Sequence, residues 1–195
     1  MTVGASSRGA ARGAPLHAVR LWAASTDSSR KLREVLTIRT YGDPVLKQPT
    51  KDVEEIDGRL ARLVEGMVET MHEAPGVGLA ANQVGVRRRL FVYDIGDGPQ
   101  VVINPRITET SGEWAFEEGC LSVPGLSWTI VRPNKVHLSG LDLDGNELSI
   151  DAEEYEARVL QHEVDHLDGT LLIERLDEEQ RREALKVLRA RVLAG

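Results

Sequence analysis

Two histidines and a glutamate stand together in the segment His162-Glu163-Val164-Asp165-His166. Successive helix residues turn about 100°, so with His162 at 0° His166 falls at about 40° and Glu163 at about 100°. Two imidazoles spaced this way can chelate one divalent ion, and the glutamate between them can reach a water there without ligating the metal. Tyr155 and Val159 fall on the same face within the two preceding turns. They would give the centre an apolar floor that excludes bulk water. The chain holds five histidines, of which His72 and His137 fall outside any motif and read as structural or surface residues.

Hydrolysis at such a centre requires a third protein ligand and an open position for water. In the spacing HExxHxxGxxH the glycine is present as Gly169, but Leu172 stands where a third histidine belongs. Two sources of the third ligand remain open. One is an acid in the C-terminal segment, namely Glu178, Glu179 or Glu183. The other is Cys120, the only cysteine, in Glu117-Glu118-Gly119-Cys120-Leu121-Ser122. Its thiolate is the softer ligand, and Gly119 beside it lets the backbone come close to a bound group. A third cluster, Gly76-Val77-Gly78-Leu79-Ala80-Ala81-Asn82-Gln83, is no phosphate loop, because no Lys-Ser/Thr follows.

The elements that must position these groups can be read from periodicity. Leu60, Leu63, Val64, Met67, Val68 and Met71 form one apolar stripe of a helix, which Pro75–Gly76 ends. Strands are expected at 90–93 and 101–103, joined through Gly96-Asp97-Gly98-Pro99, and again at 128–131, 135–142 and 147–150. Tyr41-Gly42-Asp43-Pro44 reads as a turn leading into a loop through Gln48–Pro49. The histidine helix runs from about 153 to 167, stopped near Gly169. A last helix over 177–193 starts acidic and ends basic, as a helix dipole favours. The fold class is α+β, with antiparallel sheets around a central metal-binding helix, an N-terminal helix and a C-terminal helix.

Composition sets the outer limits. The 195 residues suffice to bury a core, and 41% apolar with 28% charged residues is ordinary for a soluble domain. No apolar run approaches the roughly 18–20 residues of a membrane span. A single cysteine leaves no intramolecular disulfide, which excludes a stapled secreted scaffold. A net charge of −7 and 4% aromatic residues argue against nucleic-acid binding as the main business. Residues 1–30 differ from the rest: Arg8, Arg12, Arg20 and Arg30 face only Asp27. Leu16, Val19, Leu21 and Trp22 are their scattered apolar cluster, too little to offset ordering entropy. We read residues 1–30 as a disordered extension, with an organelle transit peptide as the alternative, and residues 31–195 as one catalytic domain.

The ordered series GVGLAANQ, EGCLS and QHEVDH resembles the peptide deformylases, and the resemblance spans about 36–193. It implies a metal-dependent hydrolase that removes the formyl group from the N-terminal formyl-methionine of new polypeptides, releasing formate. It implies Cys120, His162 and His166 as metal ligands and Glu163 as general acid/base. The Gln83 amide and the Leu121 N–H would hold the formyl oxygen. Gly78 would bind an extended peptide through its main chain, with Val77, Gly119 and Val159 also contacting substrate and Val159 lining the methionine pocket. The resemblance further implies Fe²⁺, one per chain, with Zn²⁺ or Ni²⁺ able to substitute; ligand chemistry alone would favour zinc. Its partners would be N-formyl-methionyl nascent chains, with a transient ribosome contact, no sequence-specific nucleic acid and no membrane. The expected compartment is the bacterial-type cytoplasm, or an organelle if residues 1–30 act as a transit peptide. The segment Leu126-Ser127-Trp128-Thr129 lacks a basic residue that many members carry there, while Arg132 is retained; this bears on preference beyond the methionine. Two rivals are a metalloprotease using a downstream glutamate and a non-catalytic module that binds nascent chains. A Cys120→Ser variant that keeps its metal favours the first, and a complete catalytic set opposes the second.

Overall fold

The computed structural model describes residues 35–194. The expectations for residues 1–30 lie outside them. Helix α1, Gly58–Glu73, starts at Asp57, whose side chain accepts the Arg59 and Leu60 N–H groups at 3.0 and 2.9 Å. Its stripe of Leu60, Val64, Met67, Val68 and Met71 is buried, as the helical period requires.

Seven strands follow: β1 Gly78–Ala80, β2 Leu90–Tyr93, β3 Gln100–Ser111, β4 Trp114–Cys120, β5 Val123–Arg132, β6 Lys135–Leu141 and β7 Glu147–Glu153. Five form an antiparallel sheet in the order β1-β2-β3-β6-β7, and β4 pairs with β5 alone. Helix α2, Glu154–Leu167, and helix α3, Glu178–Ala194, complete the domain. The α+β class, the antiparallel sheets and the terminal helices agree with the sequence expectation.

Strand β2 is apolar at all four positions, Leu90-Phe91-Val92-Tyr93. Leu90 and Val92 pack against α1, whereas Phe91 and Tyr93 point to the opposite face and pack with α2. Both faces are covered, so the strand shows no polar alternation.

Three strands, β3, β5 and β7, are longer than periodicity indicated. In β3, Asn104-Pro105 reads locally as a stop, but the register shifts there and the irregularity absorbs the proline. Asn104, at φ 53°, is held from outside the sheet by Val53, whose N–H it accepts at 2.7 Å and whose carbonyl takes its amide at 3.0 Å. Strand β4 was not expected at all, because Glu117, Glu118 and Gly119 have low strand preference. Its even positions Trp114, Phe116, Glu118 and Cys120 share one face. Phe116 touches the Tyr155 ring at 5.8 Å between centroids, which sets that face against α2.

Helix α2 has three functions by angle. Taking Arg158 as 0°, Ala157, Leu160, Val164 and Leu167 cluster at about 180–260° and pack on the five-stranded sheet. Arg158, His162 and Asp165 lie at about −20 to 40°, towards β4 and β5. Val159, His166 and Glu163 fall between, at about 80–140°. The helix ends at Gly169, whose φ of 76° is the left-handed stop and whose Cα lies against Lys47, leaving 3.0 Å for any added Cβ. Residues Pro44–Lys47, expected as loop, form a short 3₁₀ turn there, with Leu46 buried.

The sheet tolerates no side chain at Gly140 in β6. A Cβ there would stand 2.6 Å from Val102 Cγ1 and 3.0 Å from the Ile103 carbonyl. Gly140→Ala should therefore cost about 1–3 kcal/mol, as overpacking does. At this size that is a fall in Tm of several degrees, measured by thermal unfolding.

Candidate metal centre

Strand β4 and helix α2 bring together Cys120, His162 and His166, whose ligand atoms all lie within 4.8 Å of one another. Cys120 Sγ is 3.1 Å from His166 Nε2. The three donors come from a strand end and two successive turns of one helix, rigid elements rather than loops. Glu178, Glu179 and Glu183, the alternative third ligands, are exposed on α3. Glu183 instead pairs with Lys186 at 2.6 Å.

Electrostatics prepares the thiol. Burial opposes ionisation of Cys120, but the His166 and His162 imidazoles override it and hold the thiol well below its ordinary range. Burial likewise opposes charge on His162, yet Cys120 and Glu118 raise it well above the usual imidazole range. A soft sulfur and two nitrogens held this close, with the thiol driven toward thiolate, are a donor set that fits a transition metal. His166 Nδ1 and Glu163 Oε2 are buried without a hydrogen-bond partner among the described residues. Glu163 is 3% exposed, and burial is the main cause of its rise to about 7.

A layer of charge lies behind the three donors. Glu118, with no exposed surface, accepts from His162 Nδ1 at 2.9 Å, from Arg132 Nε and Nη2 at 2.6 and 3.0 Å, and from Arg158 Nη1 at 2.8 Å. Burial alone would push this carboxyl up; the His162 and Arg132 hydrogen bonds hold it far below the usual range. Arg132 also donates to Asp165 at 2.7 Å, and Arg175 grips the same aspartate. The arginine singled out in the sequence is thus an internal strut. Sequence reasoning missed the roles of Glu118 and Arg158. Two signals existed: Glu118 is two residues from Cys120 on a strand, and Arg158 is one helical turn before His162.

The glycine-rich segment is β1 followed by a 3₁₀ turn, Ala81–Val84. Gln83 is fixed by the Ala80 N–H, which donates to its Oε1 at 2.9 Å. Its Nε2 is thereby turned inward, 3.1 Å from Ser122 Oγ and 3.9 Å from Cys120 Sγ. Asn82 donates to the His166 carbonyl, tying this turn to α2. A Cβ on Gly78 would lie 2.3 Å from Glu163 Oε1, so any side chain there must displace that carboxylate. Val77 packs with Val159 and Tyr155 in one apolar cluster. Leu121 follows Cys120 and its side chain packs in the α1 cluster, close to Gly76. Gly119 stands on β4 opposite Ser127.

Residues 35–182 match the sequence profile of the polypeptide deformylase family. A peptide deformylase of Clostridium botulinum is 54% identical over 138 residues, covering 71% of this chain and 94% of that protein. One from Chlorobaculum parvum is 45% identical over 163 residues, covering 80% and 87%. The crystal structure of peptide deformylase from Thermus thermophilus superposes with a TM-score of 0.77 at 44% identity, covering 82% of this chain and 96% of that one. That of the Ehrlichia chaffeensis enzyme in complex with actinonin gives 0.77 at 40% identity, covering 80% and 97%. With a donor set of one thiol and two imidazoles behind that likeness, the chain belongs to the polypeptide deformylase family, hydrolases that remove the formyl group from N-terminal formyl-methionine.

Proposed function

We propose that Cys120, His162 and His166 hold one Fe²⁺ per chain, with Zn²⁺ or Ni²⁺ able to substitute, and that Glu163 moves the protons of formyl-amide hydrolysis. The observation that carries this reading is the convergence of the three donors beside a buried glutamate with a free oxygen. Bound there, a divalent ion supplies Lewis acidity to water and to the formyl carbonyl. Glu163 sits where it can take a proton from the attacking water and return it to the departing amine. The inward-turned Gln83 amide and the Leu121 N–H after Cys120 are the donors for the oxyanion. The products are formate and a free α-amine.

Substrate binding follows from the sheet edge. Strand β1 pairs with β2 only, so its outer edge, at Gly78, can take an extended peptide as an added strand. Gly119 on β4 leaves the other wall open to that backbone, and Val77 and Val159 line the pocket for the methionine side chain. The substrates are N-formyl-methionyl nascent chains, met in the cytoplasm through a transient ribosome contact. Among the described residues no helix is long and apolar enough to cross a membrane. Metal analysis of anaerobically purified protein, alongside formate release from formyl-Met-Ala-Ser, tests the whole reading. Iron at one per chain with turnover supports it; a metal-free, inactive protein overturns it.

Three variants separate the roles. Cys120→Ser should lose most of its bound metal; full metal content would return the third-ligand role to an acid on α3. Glu163→Ala should keep the metal, yet lower formate release by at least about 10², the usual contribution of a general acid/base. Activity within about tenfold of wild type removes Glu163 from proton transfer. Gly78→Ala should displace Glu163 while leaving the metal bound, and lower kcat by about tenfold or more. A variant with wild-type kcat would show that the Glu163 carboxylate can move aside at no cost to the reaction.

A further inference from the structure

Arg158 is one of the largest fully buried side chains, 1% exposed, in the first half of α2. Its neighbours Ala157, Val159 and Leu160 are core residues. A guanidinium is costly to strip of water, and apolar side chains of similar volume at buried ionic positions are often neutral or stabilising. Nor is this one fully satisfied, since its Nε has no partner among the described residues. Packing therefore does not account for an arginine here.

What the guanidinium holds is specific. Nη1 donates to Glu118 Oε1 at 2.8 Å and to the Ile130 carbonyl at 3.1 Å, and Nη2 donates to the Trp114 carbonyl. Its central carbon stands 5.3 Å from the Trp114 ring centroid. Trp114 and Ile130 belong to β4 and β5, so one side chain of α2 grips both strands of the hairpin that carries Cys120. Four residues on, His162 Nδ1 reaches the other oxygen of the same carboxylate, Oε2, at 2.9 Å. Helix, Arg158, Glu118 and His162 thus close a ring, and Glu118 is tied to α2 from both of its oxygens. Arg132 also holds both oxygens, Nε on Oε1 at 2.6 Å and Nη2 on Oε2 at 3.0 Å, but it does so from β5; Arg158 is the donor that ties Oε1 to the helix carrying His162.

We propose that Arg158 is a positioning residue of the metal centre: by fixing Glu118 Oε1 it turns Oε2 onto His162 Nδ1 and leaves His162 Nε2 as the ligating nitrogen. This rests on the reading that Cys120, His162 and His166 hold the ion. A carboxylate behind a ligating imidazole sets its tautomer and orientation, and its loss typically costs about 10–100-fold in metal affinity or activity. Arg158 controls that carboxylate from a distance, touching neither metal nor substrate.

The test is the rate at which Ni²⁺-loaded protein loses its ion to excess EDTA, measured for wild type, Arg158→Met, Arg158→Lys, Glu118→Gln and the two double variants. Thermal unfolding of the metal-free proteins runs in parallel. Arg158→Met should release Ni²⁺ about 10–100-fold faster than wild type and Arg158→Lys by an intermediate factor. In the Glu118→Gln background either change should add less than about twofold, because the path through the carboxylate is already cut. Release within about twofold of wild type overturns the proposal, as does an equal acceleration in both backgrounds. Should Arg158→Met fail to fold, Arg158→Lys with and without Glu118→Gln decides by the same comparison. A wild-type protein that takes up no Ni²⁺ overturns the metal reading itself, a result separate from normal uptake with unchanged release in the variants.

Discussion

A single carboxylate with no exposed surface, Glu118, joins the fold to the chemistry. It carries a charge into the interior, where an uncompensated ion costs several kcal/mol, so its partners must all be present together. Those partners come from β5, from α2 one turn before the motif, and from a histidine of the motif itself. Helix and hairpin can neither slide nor turn against each other without leaving a charge unpaired, which costs about 3–5 kcal/mol. Asp165 extends the same network to Arg175 and hence to the turn after the helix. The geometry of the donor cluster and the tertiary packing here depend on the same bonds.

The apolar part of the structure fits around that seam. One cluster joins α1 to the sheet, a second joins the sheet to α2, and a third joins the β4–β5 hairpin to α3 and carries Cys120. Cys120 stands in the third, and His162 and His166 stand on the helix of the second. Hydrophobic burial brings the elements to this place without fixing their rotation, since it has no direction. The hydrogen-bonded ions supply the direction.

Reading the sequence reached the helices well, because α1 and α2 carry strong periodic patterns and His162-Glu163-Val164-Asp165-His166 lies within one of them. The residues themselves left the third donor open between Cys120 and the acids of α3. Cys120 is 46 residues from His166, and only strand pairing and helix packing bring the two to 3.1 Å. Spacing alone could not separate it from the acids of α3; resemblance did. Strand β4 escaped because Glu118 sits where an apolar residue belongs, and the reason for Glu118 lies in residues distant in sequence. Asn104-Pro105 misled in the same way, since the groups that hold the irregular β3 backbone belong to Val53. What stayed hidden was in each case a non-local polar partner.

Strand β1 has a last consequence. A free sheet edge is a template for any extended chain, including a second copy or a misfolded neighbour, and proteins usually protect such edges. Here the edge is three residues long, bounded by a 3₁₀ turn on one side and Gly76-Val77 on the other. So short a ladder holds a visiting strand by few main-chain bonds, too few for a lasting aggregate. Brevity is thus the protection against fibre-like pairing. Under the proposed reading, the same brevity favours fast release of a processed chain.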